Sequence, residues 1–281
     1  VVNSCISTGT EMASIKTSGN SLIKRALEQP ENVKKVISMV KSDGIANAYK
    51  KVKGKLEGGQ VTGYSLSGVV IGVGEGVIAF KVGDRVAAAG AGVANHAEYV
   101  DVPENIVVKI PDGLDFFKAS AVALGSIAMQ SVRRAEMNLG EFAVVVGAGI
   151  IGLLSVQMLK AAGARVASID IDDERLLIAS ETGAEIVINP SITNPVNEVI
   201  NWSNGFGADA VIFAAATTSS APLSQCFQMC RKKGRVILVG VSGMNIKRED
   251  MYVKELDLLM STSYGPGRYD RNYEEKGLDY P

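Results

Sequence analysis

From Phe142 onward, short runs of branched apolar residues alternate with stretches whose apolar positions recur at helical spacing. Phe142 to Val146 is apolar throughout, as a strand buried on both faces should be. A helix is predicted to run to Ala162, and Arg165 to Ile169 reads as a second strand. ERLLIASETGA predicts another helix, and Ala184 to Ile188 a third strand. Pro195 to Ser203 predicts a short helix, with Asn194 as N-cap and Pro195 in the first position. Ala208 to Phe213 reads as a fourth strand, ending in Ala214-Ala215-Ala216. Ala221 to Arg231 reads as helix, Arg235 to Gly240 as a fifth strand, and Val253 to Met260 as the approach to a sixth. Strands alternating with helices predict an α/β fold with a doubly wound parallel sheet.

The turn after the first of these strands carries the chemistry. Gly147-Ala148-Gly149-Ile150-Ile151-Gly152 fits G-x-G-x-x-G between strand and helix. Gly147 permits the tight turn, Gly149 lets backbone approach a pyrophosphate, and Gly152 lets the helix pack close to the sheet. The helix points free N–H groups and a partial positive charge at that phosphate site. The six residues predict a dinucleotide site, and the whole βαβ unit with its terminal acid makes the signal strong. Its plain alternative is a glycine-rich turn in some other parallel α/β domain.

Asp170 closes the second strand. A carboxylate there can accept hydrogen bonds from both ribose hydroxyls of NAD, and the 2′-phosphate of NADP would meet its charge. Like charges about 4 Å apart cost about 1 kcal/mol in water and about 4 kcal/mol at an effective dielectric of 20. NAD is therefore expected over NADP, with Arg175 partly offsetting the repulsion. Asp170 has a second reading as a helix N-cap, since Asp172 and Asp173 stand nearby. Asp170, Ile171 and Arg175 form the adenosine side of the predicted site. Ligands of such sheets lie at the carboxyl ends of the strands, which places Ala215, Ala216, Gly240 and Val241 beside the cofactor.

The N-terminal part alternates differently. GYSLSGVVIGVGEGVIAFKVGDRVA (63–87) and HAEYVDVPENIVVKIP (96–111) read as short strands of a twisted, barrel-like β domain. LDFFKASAVALGSIAMQSVRRA (114–135) reads as helical connection. Residues 21–56 show helical spacing and many lysines. They are either a solvated face or an electropositive rim that attracts an anionic substrate such as a sugar nucleotide. The 281 residues suffice for two domains, and a net charge of −1 argues against nucleic acid. No apolar run is long enough to span a bilayer. Cys5, Cys226 and Cys230 suggest no disulfide framework, and the composition points to a cytoplasmic protein. Cys226 and Cys230 lie four apart on a predicted helix, without the second pair or histidine that zinc would need.

GVVIGVGEGVIAFKVGDRVA, AEYVDVPENIVVKIPDGLDFFKASAVAL and GAGIIGLLSVQMLKAAGARVASIDIDDERLLIASETGAE together resemble the medium-chain dehydrogenase/reductase superfamily. The resemblance implies a GroES-like β-barrel catalytic domain (1–118, with a helical insertion at 21–56). It implies a Rossmann domain at 119–263 and a segment at 264–281 returning toward the catalytic domain. It also implies an active site in the cleft between domains and assembly as a homodimer or tetramer. Zinc members carry a Cys in the first strands, a Gly-His-Glu in the barrel, and a Cys or acid at the domain junction. The corresponding stretches here are Thr8-Gly9-Thr10-Glu11, Gly63-Tyr64-Ser65 and Ala121-Val122-Ala123. Zinc takes imidazole, thiolate or carboxylate ligands, so the expected site is metal-free. His96, the sole histidine, reads as a loop or surface residue.

SCISTGTEM, the insertion, GYSLSG, NHAEYV and SYGPGRYDRNYEEKGLDYP are similar to the dehydrogenase half of bi-domain oxidoreductases from bacterial surface-polysaccharide gene clusters. That likeness implies a fused second oxidoreductase domain in a longer protein. The chain would then be an excerpt with an incomplete catalytic domain. The expected chemistry is reversible hydride transfer between nicotinamide and a small-molecule substrate, an alcohol or carbonyl such as a sugar or sugar nucleotide. Without zinc, side chains must supply the proton or hydrogen bond. Tyr64, in the place of a metal ligand, is either that acid–base or a filler of the space. Ser7, Thr8, Thr10, Ser126 and Tyr264 are secondary candidates. By resemblance, the backbone of Val239, Thr262 and Tyr264 holds the carboxamide. Two other functions stand beside this one: a quinone or enoyl reductase, and a nucleotide-binding half without turnover.

Overall fold

The computed structural model describes residues 1–7, 9, 11, 62–265, 267, 270–274, 276 and 277. Thr8, Thr10 and the insertion at 21–56 lie outside them. The chain divides into two compact units, Val1–Ala121 and Val122–Pro281. No helix among the described residues is long and apolar enough to cross a membrane.

The first unit holds a four-stranded antiparallel sheet in the order β1-β2-β3-β4. Its strands are β1 (Asn3–Ser4), β2 (Ser65–Val69), β3 (Arg85–Ala89) and β4 (Val107–Lys109). The period of two is visible in β2. Leu66 packs with Ala88 and Ala94 on one face. Ser65 and Ser67 point the other way and donate to the Ser120 and Phe116 carbonyls, tying the sheet to α1 (Phe116–Ala119). Both serines are buried, and the hydrogen bonds offset the desolvation that burial would otherwise cost. Residues 96–100 form no strand, contrary to the alternation, and strand structure returns at Val107.

The second unit holds α2 (Val122–Ala135), β5 (Phe142–Val146), α3 (Ile150–Ala161), β6 (Arg165–Ile169), α4 (Asp173–Thr182), β7 (Ile186–Ile188), α5 (Pro195–Trp202) and β8 (Ala208–Phe213). It continues through α6 (Ala221–Met229), β9 (Cys230–Leu238), α7 (Arg248–Tyr252), β10 (Asp257–Met260) and α8 (Arg271–Glu274). The sheet order is β10-β9-β8-β5-β6-β7, with every pair parallel. Alternate residues feed opposite cores. Val144 and Val146 join Val211, Phe213, Leu223 and Phe227 on the α5–α6 side. Ala143 and Val145 join Ile212, Val156, Leu159 and Ala179 on the α2–α3–α4 side. A strand coated on both faces favours apolar residues at successive positions, which is why β5 reads as a continuous apolar run.

Two predicted elements change. Helix α6 stops at Met229, so Cys226 and Cys230 do not share a helical face, and Cys230 and Arg231 belong to β9. Cys230 pairs with Ala208, Arg235 with Ala210, and the residues between bulge out with Lys233 at φ 60°. Both thiols are buried, which raises their pKa, that of Cys230 to about 12. Within the predicted approach at Val253 to Met260, the strand itself begins only at Asp257, and α7 ends just before it at Tyr252.

Candidate functional site

At the β5–α3 junction three glycines are placed by contact. Gly147 has φ 98°, and a Cβ on it would stand 2.7 Å from the Ala215 nitrogen. A Cβ on Gly152 would stand 1.8 Å from the Gly147 carbonyl oxygen. Gly149 is the N-cap of α3 and has nothing within 4 Å of a Cβ. No side chain caps this helix, so its first N–H groups stay available to an anion. Ile150 is exposed and Ile151 half-buried beside them.

Asp170 follows β6 and grips the turn. Its Oδ2 accepts from the Ala148 nitrogen at 2.6 Å and its Oδ1 from the Asp172 nitrogen at 3.0 Å. The N-cap role belongs to Asp172, which accepts from the Glu174 and Arg175 amides. Arg175 Nε lies 3.3 Å from Asp172 Oδ2, and Ile171 is exposed. Across the sheet, the Val241 amide donates to the Ala215 carbonyl at 3.0 Å, and Ala216 bridges Val241. A Cβ on Gly240 would stand 1.9 Å from the Ala215 oxygen. The Val239 amide donates to Phe213. These residues therefore gather at the carboxyl ends of β8 and β9, and Thr262 follows the end of β10. The Tyr264 hydroxyl donates to Glu274 Oε1 at 2.8 Å. Ser126 lies on α2, where its hydroxyl donates to the Val122 carbonyl.

In the first unit, Tyr64 is half-buried just before β2, and its carbonyl accepts from the Gly90 amide. Ser7 is buried, and its amide donates to Glu11 Oε1 at 2.8 Å. His96 is placed as a loop residue, as expected. Its ring, however, is not a free surface group. Nε2 is 2.9 Å from Glu11 Oε2 and Nδ1 is 2.8 Å from Ser4 Oγ. The side chain of His96 keeps 22% exposure and that of Glu11 11%. Gly63, at φ 92°, makes room for it, since a Cβ there would stand 2.9 Å from the ring. Burial and the Glu11 charge raise the pKa of the Cys5 thiol. Among the described residues, no three His, Cys, Asp or Glu side chains group to hold a metal ion.

Residues 35–112 match the alcohol dehydrogenase GroES-like domain, and residues 151–276 match the zinc-binding dehydrogenase domain. The solved structure of 2R,3R-butanediol dehydrogenase from Bacillus subtilis is 31% identical, covering 77% of this chain and 68% of that one, with TM-score 0.64. The chain belongs to the medium-chain dehydrogenase/reductase family. Alcohol dehydrogenase TADH from Thermus sp. ATN1 has TM-score 0.66 at 26% identity, covering 73% of this chain and 70% of that one. Among curated relatives, (R,R)-butanediol dehydrogenase of Bacillus subtilis is 33% identical over 220 residues, 69% of this chain. The chain spans 62% of that relative's length. A 2-dehydro-3-deoxy-L-galactonate 5-dehydrogenase of Pseudoalteromonas atlantica is 29% identical over 239 residues, 75% of this chain and 69% of that protein. Within this medium-chain frame, the match at 151–276 contains α3 from Ile151 onward, Asp170 and the strand ends of β8 and β9. The match at 35–112 contains Tyr64 and His96.

Proposed function

We propose that this protein is an NAD-dependent, zinc-independent oxidoreductase. It moves a hydride to or from an alcohol or carbonyl carbon, a sugar or sugar nucleotide being the favoured class. One observation supports the cofactor most: the Asp170 carboxylate, fixed by two backbone amides beside the open turn at Gly149. Each of its oxygens retains acceptor capacity for a ribose hydroxyl. Arg175 pairs with Asp172 at the exposed surface, where such pairs are worth little, so it only partly offsets the charge of Asp170. NAD, when bound, accepts or supplies the hydride. The chain's own residues hold the pyrophosphate at the α3 N-terminus and the ribose at Asp170. Tyr64 offers a phenol to the substrate oxygen.

Titration of nicotinamide fluorescence is expected to show tighter binding of NADH than of NADPH. Equal or tighter NADPH binding overturns the assignment. The donor chemistry supports zinc independence. Tyr64 and Ser65 stand where the zinc members carry a ligand, and neither is a zinc donor. Both Glu11 oxygens are already engaged, by Ser7 and His96. Elemental analysis of protein purified without chelator is expected to find no stoichiometric zinc, and one zinc per chain would refute this part. The likeness to bi-domain oxidoreductases further supports a fused second oxidoreductase domain, assembly as a homodimer or tetramer, and work in the cytoplasm on surface polysaccharide precursors.

A further inference from the structure

We propose that Gly243 is a positioning residue for the nicotinamide half of the cofactor. It lets the chain after β9 lie against the chain after β8, and that contact fixes the distance between the pyrophosphate turn and the nicotinamide. The inference rests on the NAD-dependent reading above and extends it to residues beyond the strand ends.

The order of the sheet sets the course of the dinucleotide within the second unit. Asp170 follows β6 and the glycine turn follows β5. With the ribose at the first and the pyrophosphate at the second, the remaining half runs over β8 and β9. Neighbouring strands lie about 4.8 Å apart, so β9 is about 10 Å from the turn. The backbone of one residue stands between the two places. A Cβ on Gly147 would stand 2.7 Å from the Ala215 nitrogen, and a Cβ on Gly240 would stand 1.9 Å from the Ala215 oxygen. Ala215 is thus held between the pyrophosphate turn and the end of β9, and its position sets their spacing.

Past the strands the two chains stay joined. The Val241 amide donates to the Ala215 carbonyl at 3.0 Å, and the Thr217 amide donates to the Val241 carbonyl at 2.8 Å. A regular parallel ladder would next take the Gly243 amide to the Thr217 carbonyl. The chain after β8 turns instead. The Ser219 amide donates to Thr217 Oγ1 at 3.1 Å, and the Gly243 amide reaches the Ser219 carbonyl at 3.2 Å. The Asn245 amide donates to Ser220 Oγ at 3.0 Å.

This turn fills the place of a side chain at 243. A Cβ there would stand 2.6 Å from the Thr218 carbonyl oxygen and 2.8 Å from the Ser220 nitrogen. Gly243 does not have a positive φ, so the contact alone demands glycine. Both neighbours are backbone atoms, so an added methyl must push the two loops apart. The bonds joining Thr217, Val241 and Ala215 carry that displacement to the strand ends. The adenosine side is held separately, by Asp170 on the Ala148 amide. What shifts is the end of β9 relative to the turn, and with it the nicotinamide.

ADP-ribose carries every part of NADH except the nicotinamide, so comparing the two isolates that half. The unaltered chain is expected to bind NADH more tightly than ADP-ribose, with the blue-shifted emission of a nicotinamide held out of water. In Gly243→Ala, checked for fold by circular dichroism, NADH should weaken about tenfold, the worth of one or two neutral hydrogen bonds, while ADP-ribose stays within about twofold. The emission of bound NADH should move back toward that of free NADH. Ser220→Ala removes the acceptor of the Asn245 amide without adding bulk, and should give a smaller loss of the same kind. Gly243→Ala decides the matter where it folds, and Ser220→Ala where it does not. In the deciding variant, equal losses for both ligands, or unchanged NADH affinity and emission, overturn the proposal. Equal affinity of the unaltered chain for NADH and ADP-ribose also overturns it and leaves the dinucleotide reading standing. An unaltered chain that binds neither overturns that reading itself, so the two failures are distinguishable.

Discussion

Replacing Gly152 with alanine is expected to destabilise the second unit and abolish measurable NADH binding. The added methyl would stand 1.8 Å from the Gly147 carbonyl oxygen, and this neighbour is backbone rather than a flexible side chain. Helix α3 must therefore back away from β5, or the turn must open. Overpacking of this kind costs about 1–3 kcal/mol, and each kcal/mol is about 2–4 °C of Tm in a domain of this size. The displaced helix N-terminus also withdraws the N–H groups that meet the pyrophosphate. Gly149→Ala provides the contrast. Its Cβ meets nothing within 4 Å and its φ is −72°, so Tm should stay put. The methyl still occupies the approach to the turn, so NADH affinity should fall. Thermal melts with NADH titration of both variants check this. A Gly152→Ala protein with unaltered Tm and affinity would mean that the turn is neither tightly packed nor the cofactor site.

Much of the second unit is legible because its strands obey local rules. β5, β6 and β8 are buried on both faces, and the apolar runs of β5 and β6 end where the strands end, at Gly147 and Asp170. Asn194 and Asp172 cap their helices through amides two and three residues ahead, a signal that is local by construction. The α6–β9 junction is not local. The Cys230 amide region pairs with Ala208, and Lys254 donates to the Gln228 and Cys230 carbonyls from 26 and 24 residues away. Helical periodicity cannot report a terminus set from that distance. His96 escapes for the same reason, since its partners stand 92 and 85 residues off in sequence. A lone histidine in a loop looks idle until the fold sets a serine and a glutamate against it. The one local trace was Gly63, a glycine where an alternating strand would tolerate a side chain.

Asp170→Ala is expected to weaken NADH by about 10–100-fold and to bring the NADH and NADPH affinities within several-fold of one another. Hydrogen bonds to a charged group contribute about 1.5–3 kcal/mol, and 1.4 kcal/mol is tenfold in affinity, so loss of the ribose contacts alone reaches this range. The carboxylate also holds the Ala148 and Asp172 amides, so part of the loss is the turn relaxing. NADPH should lose less, because the change also removes a repulsion of about 1–4 kcal/mol. Arg175 contributes as well. Its pair with Asp172 is exposed on both sides, and such pairs are worth little, so the guanidinium can turn to a 2′-phosphate at small cost. Asp170→Asn separates the two effects. The amide oxygen can still accept from Ala148, although the Asp172 amide loses its acceptor, so the turn keeps one of its two ties while discrimination against NADPH falls. Discrimination that survives in both variants would move the origin of cofactor choice away from Asp170.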